Sequence, residues 1–286
     1  MILALATPGL PTGTGQARQR PPAQGHAQWT VERVDGMSAS TSVSASYPLS
    51  LLVPRARDLA CWAYLASHGG GMVSGDQVMI TVRVAPEACA YLGSQSTGKV
   101  YRALHDEWSG QDVQLTVGPG GLLVYAPDAV SCFAAARYRQ TLRYALAPGA
   151  SLVACDGLLA GREARGEFWS FDQVASSTCI TLDGIPAAID RISMLGPRLA
   201  RSMAGWGAFL SIVAIGPATA PLVEAARALL PATTPGAPFL ASLAPCAGGH
   251  LLRIAAPGQA ELTALCQRLF APLADRLGGQ PWLRRP

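Results

Sequence analysis

The run in this 286-residue chain whose spacing most suggests chemistry is Gly93-Ser94-Gln95-Ser96-Thr97-Gly98-Lys99-Val100. It reads GxxxxGK after an apolar stretch, the spacing of a loop that cradles phosphates. Such a loop needs a hydroxyl directly after the lysine to hold Mg²⁺, and a helix opening there whose amides face the phosphates. Val100 supplies no oxygen. The segment Val100–Arg102 is β-branched and aromatic, so it continues as strand more readily than as helix. No apolar strand ending in aspartate follows at a suitable distance. A divergent P-loop nucleotide-binding protein centred on Gly93–Lys99 is therefore the alternative reading, not the leading one.

Metal-ligand spacing is equally thin. His26, His68, His105 and His250 are far apart and form no HxH, HxxH or HxxxH pair. The seven cysteines (Cys61, Cys89, Cys132, Cys155, Cys179, Cys246, Cys266) include no CxxC. Their odd number suits reduced, mostly buried thiols in a cytoplasmic protein. There is no GxSxG elbow, no Cys–His signature and no readable carboxylate pair, so no catalytic residue is expected. Asp76 closes the run His68-Gly69-Gly70-Gly71-Met72-Val73-Ser74-Gly75. Its carboxylate either caps the amides of that turn or stands exposed at a metal path or partner surface. The run Gly161-Arg162-Glu163-Ala164-Arg165-Gly166-Glu167 alternates charge after two leucines. A solvated turn with ion pairs worth roughly 0–1 kcal/mol each accounts for it.

The elements that must position these residues are mostly strands. Half of the chain is hydrophobic, 14% is charged, and it holds 30 glycines and 22 prolines, a turn-rich globular composition. The net charge of +4 is spread along the sequence, which gives no nucleic-acid surface. Of the 22 basic residues only Lys99 is lysine, which puts it where a compact ammonium and a planar guanidinium differ. Residues 1–24 are rich in Pro, Gly, Gln and Ala and are expected to be a disordered tail; residues 25–286 are expected to form one β-rich domain. The opening MILALATPGL has no basic n-region, so no secretory signal is expected. Strands are expected at Gln28–Val34, Cys61–Ala66, Val78–Val84, Ala88–Gly93, Val113–Val117, Leu122–Tyr125, Arg137–Leu146, Ser151–Leu159 and Ser177–Leu182. No convincing helix interrupts them, which excludes a parallel α/β sheet with crossover helices. Two strand-then-helix units close the chain: Ala208–Ile215 before a helix capped at Thr219, and His250–Ala255 before a helix over Gln259–Phe270. The apolar stretch Trp206–Val223 is broken by Gly207, Gly216, Pro217 and Pro221, so it reads as strand, turn and helix and not as a membrane span.

Four ordered segments resemble the UreD/UreH family of urease accessory proteins. His68–Asp76 resembles its GGGLVGGD-type motif, with Met72 for leucine and Ser74 for a glycine. Gln95–Arg102 resembles its TxxxxKVYR-type segment, which claims Lys99 for this motif and not for a nucleotide loop. Ala126–Val130 with Cys132-Phe133 and Arg137–Gln140 resembles the LPDPV…F…ARxRQ block, and Gly161-Arg162 with Gly166-Glu167 the GRxxxGE signature. Gly249–Ile254, the helix after it and Pro281-Trp282 also fit. The likeness runs from about Gln28 to the end. Ala129 departs from it where many bacterial members carry glutamate, and Tyr125 where Trp is frequent.

The resemblance implies a mainly β, helically wound scaffold with a small C-terminal αβ layer and no turnover of its own. It implies a urease maturation factor that binds a UreF-type accessory protein and, through it, a UreG-type GTPase, and docks them on apo-urease. GTP belongs to the partner, and nickel passes through the scaffold. Asp76 and Glu167 are the expected residues of the nickel route, with Glu163 behind them. His68, Gly70, Gly71, Gly75, Lys99, Tyr101, Arg102 and Arg162 are expected to hold the fold or an interface.

Overall fold

Period-two patterning decides the strands. In β5 (Gln77–Val84), Val78, Ile80, Val82 and Val84 are buried while Met79, Thr81 and Arg83 face outward. The same alternation runs through β1 (Gly25–Val34), β8 (Ser109–Val117), β11 (Arg137–Leu146) and β13 (Gln173–Leu182). These five pair side by side and in parallel. The computed structural model from which this architecture is read describes residues 25–54, 59–230 and 237–283. The expected tail, 1–24, lies outside the described residues.

Between strands of that sheet the chain crosses to a second one. Its parallel centre is β4 (Cys61–Ser67), β6 (Cys89–Ser94), β9 (Leu122–Ala126) and β12 (Ser151–Leu159). Antiparallel strands β15 (Ala208–Ile215), β17 (Gly249–Ala256) and β16 (Leu240–Cys246) extend it at one edge, and β3 (Leu49–Leu52) closes the other. Each turn of the chain thus lays one strand in each sheet, the helically wound arrangement expected. The exclusion of crossover helices holds, yet the strands are parallel, because the crossover is itself a strand of the facing sheet. Short β7 (Lys99–Val100) and β10 (Val130–Cys132) pair in parallel with each other and join β12.

Strands missing from the sequence reading include the short β10 and three with little buried face. β2 (Met37–Ala45) forms a hairpin with β1, and β14 (Ile185–Leu195) forms one with β13; they are the two edges of the first sheet. Ser and Thr crowd β2, and β14 is exposed along most of its length, so neither shows a marked apolar alternation. β16 is likewise an exposed edge.

One core fills the space between the sheets, around Trp29, Leu92, Leu115, Leu123, Leu142 and Leu152. A second lies under α2 (Ala220–Leu229) and α3 (Gln259–Phe270), which bury Leu222, Val223, Ala226 and Leu229, and Leu262, Leu265, Leu269 and Phe270. These helices cover only the second sheet, and among the described residues no helix covers the outer face of the first. Thr219 stands at the N-cap of α2 as expected, but its hydroxyl makes no cap bond and donates back to the Gly216 carbonyl at 2.8 Å. Two short helices, α1 (Gly196–Ser202) and α4 (Ala274–Leu277), complete the described residues. No helix among them is long and apolar enough to cross a membrane.

Candidate functional site

The glycine run and the Lys99 strand, separate motifs in the sequence, are one structure. Gly71 has φ +143°, and a Cβ built there would lie 2.5 Å from the Lys99 carbonyl oxygen. Only glycine lets the loop come this close. The contact carries a ladder: the Met72 amide donates to Lys99 O at 2.8 Å, and the Tyr101 amide to Met72 O at 2.9 Å. Lys99 and Arg102 are exposed, as are His68 and Gly70. Asp76 Oδ2 accepts the Val73 amide at 2.8 Å, while the Asp76 amide donates to Val73 O. Ser74 Oγ donates to Leu104 O and accepts the Leu104 amide, pinning the next loop. Lys99 itself opens β7, and the helix that a phosphate loop requires does not follow.

A second cluster gathers the GRxxxGE residues against that strand. Tyr101 packs edge-on to Phe133, with ring centroids 5.2 Å apart, and the Arg162 guanidinium lies 4.3 Å over the Phe133 ring. Arg162 forms a two-pronged ion pair with Glu167, whose Oε2 also accepts the Ala134 amide at 3.2 Å. Those bonds, the Arg162 guanidinium first, hold the Glu167 carboxyl below the usual carboxylate range. Beneath them lie buried Trp169, Phe171, Val100 and Cys132. Glu163 is exposed on a 3-10 turn beside Gly207.

Polar groups of another kind lie between the sheets. β12 carries Asp156 inward, where Gln140 of β11 donates to its Oδ1 and Ser176 of β13 donates to its Oδ2 at 2.8 Å. Tyr138 completes the cluster by donating to Gln140 Oε1 at 3.2 Å. Burial pushes the Asp156 carboxyl up from its ordinary value, against the two hydrogen bonds, and the Asp190 charge adds to the rise. What accessible surface Asp156 keeps faces adjoining cavities that are partly open to solvent. One, of about 170 Å³, runs from Gly70, Gly71 and Lys99 to Asp156; a small one of about 20 Å³ continues from Tyr138, Gln140 and Asp156 toward Ser176. Another, of about 330 Å³, shares Pro127, Asp128 and Cys155 with the first and reaches α3 at Gln259 and Cys266. Cross-strand pairing aligns Asp156 with Ser211 of β15 and Arg253 of β17 on one face. The Ser211 hydroxyl is buried and has no hydrogen-bond partner, and Arg253 grips both oxygens of Asp190 at 2.8 and 2.9 Å.

Residues 23–285 match the family described as UreD urease accessory protein. A urease accessory protein UreD from Anaeromyxobacter sp. (strain Fw109-5) is 41% identical over 90% of this chain and 88% of its own length. One from Sorangium cellulosum (strain So ce56) is 37% identical over 91% and 84%. The chain belongs to the UreD family. A urease accessory protein D from Oryza sativa subsp. japonica is 39% identical over 57% of this chain and 54% of its own length. The alternative nucleotide-binding reading gains nothing from these relatives.

In this UreD protein the structure brings together Gly71 with Lys99, and Tyr101 with Arg162 and Glu167, while Asp76 stays in its own turn. None of Asp76, Glu163 and Glu167 lines the cavities described above. The carboxylates that do are Asp156 and Asp128. Asp156 went unnoticed in the sequence because a lone aspartate in LVACDGLLA forms no motif; its one signal was a charge inside a run patterned for burial. Among the described residues no three His, Cys, Asp or Glu side chains group closely enough to hold a metal ion.

Proposed function

We propose that this urease accessory protein is a non-catalytic, cytoplasmic nickel-delivery scaffold in which the ion moves through the interior past Asp156. The observation that carries the reading is the line of cavities sharing lining residues from the Gly71–Lys99 end, through Asp156, to Asp128 and α3. A carboxylate between the sheets that has hydrogen bonds but no opposite charge costs stability unless a cation or proton neutralises it. A divalent ion arriving there supplies the charge that the surrounding Tyr138, Gln140 and Ser176 do not.

The donors suit passage and not storage. Carboxylate, amide and hydroxyl oxygens hold Ni²⁺ less tightly than thiolate or imidazole cages. The thiols along the way are kept protonated: burial raises Cys155 well above its ordinary value and pushes Cys266 up to about 12. A protonated thiol is a poor metal ligand. Asp76 has its part at the mouth, where it fixes the turn that follows Gly71 and Met72. Glu167 and Arg162 brace the Tyr101 strand beside it. Partners complete the reading: a UreF-type protein, a UreG-type GTPase that alone handles GTP, and apo-urease.

The test is Asp156→Asn, which preserves size and one of the two accepted hydrogen bonds while removing the charge. Urease matured with the variant should contain less nickel while co-purification with the partners is unchanged. Full nickel loading by Asp156→Asn and by Asp156→Leu removes the interior route.

A further inference from the structure

The outer face of the first sheet holds a trough of about 260 Å³. Its rims are Arg139 of β11 and Arg191 of β14, and its bed is Thr141, Ala175, Ser177 and Ser193. The register explains the shape: Arg139 faces Ala175, which faces Ser193, and Thr141 faces Ser177, which faces Arg191. The arginines therefore stand either side of β13, about 10 Å apart across the strands and roughly 7 Å along them. Small side chains between them leave the bed open.

Charge on this face is unbalanced. Arg143 reaches Asp112 at 4.0 Å and Arg137 reaches Asp106 at 3.0 Å. Arg139 instead lies 5.9 Å from the Trp108 ring centroid, a contact that fixes the side chain without neutralising it. Neither Arg139 nor Arg191 has a salt bridge among the described residues, and no carboxylate lines the trough. That the cations are arginines carries no weight in a chain with one lysine; their position does. Beside them on β14, Ile189 is 60% and Ile185 68% exposed, apolar surface that edge strands ordinarily avoid.

We propose that this trough docks an acidic segment of a protein partner, its carboxylates held between Arg139 and Arg191 and an apolar side chain resting on Ile189. The scaffold reading above is deepened by this, since Gln140, Ser176 and Ile192 line both the trough and the small cavity at Asp156. A segment seated there covers the thin wall over the interior carboxylate. A small anion does not account for the feature: the trough is open and flanked by apolar surface, as a protein contact requires.

The experiment uses the full chain and a fluorescein-labelled peptide of glutamate, aspartate and leucine, followed by anisotropy without metal or other urease proteins. The double variant Arg139→Glu, Arg191→Glu should weaken binding about tenfold or more, and Ile189→Asp by several-fold. Arg227→Glu on α2, far from the trough, should leave it within about twofold. A peptide with lysine for its acids should not bind. Equal binding by wild type and double variant overturns the proposal, as does full displacement by inorganic phosphate at concentrations matching its own affinity, which would mark a small-anion site only. Circular dichroism of the variants, all on surface side chains, excludes unfolding as the cause. Nickel loading is read separately, so loss of one result leaves the other standing.

Discussion

Two carboxylates in this molecule sit in opposite electrostatic settings. Glu167, at the end of the sheets, has its charge met by Arg162 and the Ala134 amide, and its carboxyl titrates low. Asp156, between the sheets, has only hydroxyl and amide donors, and its carboxyl titrates high. The first is a strut whose charge is already used. The second holds a charge that the fold leaves unmet, the arrangement expected of a group awaiting a transient cation. Sequence motifs point to the strut, and the cavities point to the unmet charge.

If the motif end is a structural brace, its tightest joint should be the most costly to disturb. Gly71→Ala places a methyl 2.5 Å from Lys99 O at a φ of +143°, which no relaxation of a flexible side chain relieves. The expected loss is roughly 2–4 kcal/mol, read from the denaturant midpoint at constant slope. A loss below about 0.5 kcal/mol would mean that loop and strand are not rigidly joined, and the comparison would lose its structural half.

For Asp156 the sign runs the other way. A carboxyl whose folded pKa is raised stabilises the fold below its unfolded value, and that contribution is lost as pH rises through the folded value. Wild-type stability relative to Asp156→Asn should therefore decline as pH climbs from the ordinary value of 3.8 toward neutrality. At pH 7 the asparagine variant should be as stable as wild type or more so, by about 1 kcal/mol, while urease matured with it should hold less nickel. Matched thermal melts across the pH range check this. A variant less stable than wild type at neutral pH would make Asp156 a strut like Glu167.

How much could be read beforehand follows the same division. Strands with one buried face, such as β5 and β11, announced themselves by alternation, and so did the leucine face of α3. β2 and β14 did not, because neither carries a continuous apolar face: β2 is crowded with Ser and Thr, and β14 turns Asp190 inward and Ile189 outward. The parallel pairing was hidden for a different reason: a sequence shows a crossover only when it is a helix, and here it is another strand. Gly71, Lys99, Arg162 and Glu167 were picked out by their resemblance to family motifs; the close approach of Gly71 to the Lys99 backbone and the Arg162–Glu167 pairing emerge only in the fold. Asp156, Gln140 and Ser176 come from three strands and meet only through register, so no spacing could announce them.

A smaller effect separates the two carboxylates in acid. A carboxyl whose folded pKa is depressed contributes stability above its unfolded value and loses it as pH falls through the folded one. Glu167→Gln should therefore flatten the acid limb of the stability profile below the ordinary value of 4.5 and leave the neutral limb's slope unchanged. Asp156→Asn should do the reverse. Arg162→Lys should reproduce part of the Glu167→Gln change, because an ammonium can pair with the carboxylate but cannot lie flat on Phe133 or bond it through two nitrogens. Acid denaturation followed by tryptophan fluorescence distinguishes these outcomes, and identical acid limbs in all variants would deny Glu167 its bracing role.

The smallest effect belongs to Lys99, the residue that looked most chemical. Its backbone is indispensable, since Lys99 O receives the Met72 amide and crowds Gly71, but its side chain is exposed. Lys99→Arg and Lys99→Ala should both change stability by less than about 0.5 kcal/mol. Neither should affect binding of a fluorescent GTP or ATP analogue, because the isolated chain should bind neither: Val100 offers no Mg²⁺ ligand, and β7 points no helix amides at a phosphate. Micromolar, Mg²⁺-dependent binding lost in Lys99→Ala would reverse the assignment and return chemistry to the braced end of the molecule. Unchanged stability with no nucleotide binding leaves the lysine a surface group, retained for a partner's contact or not at all.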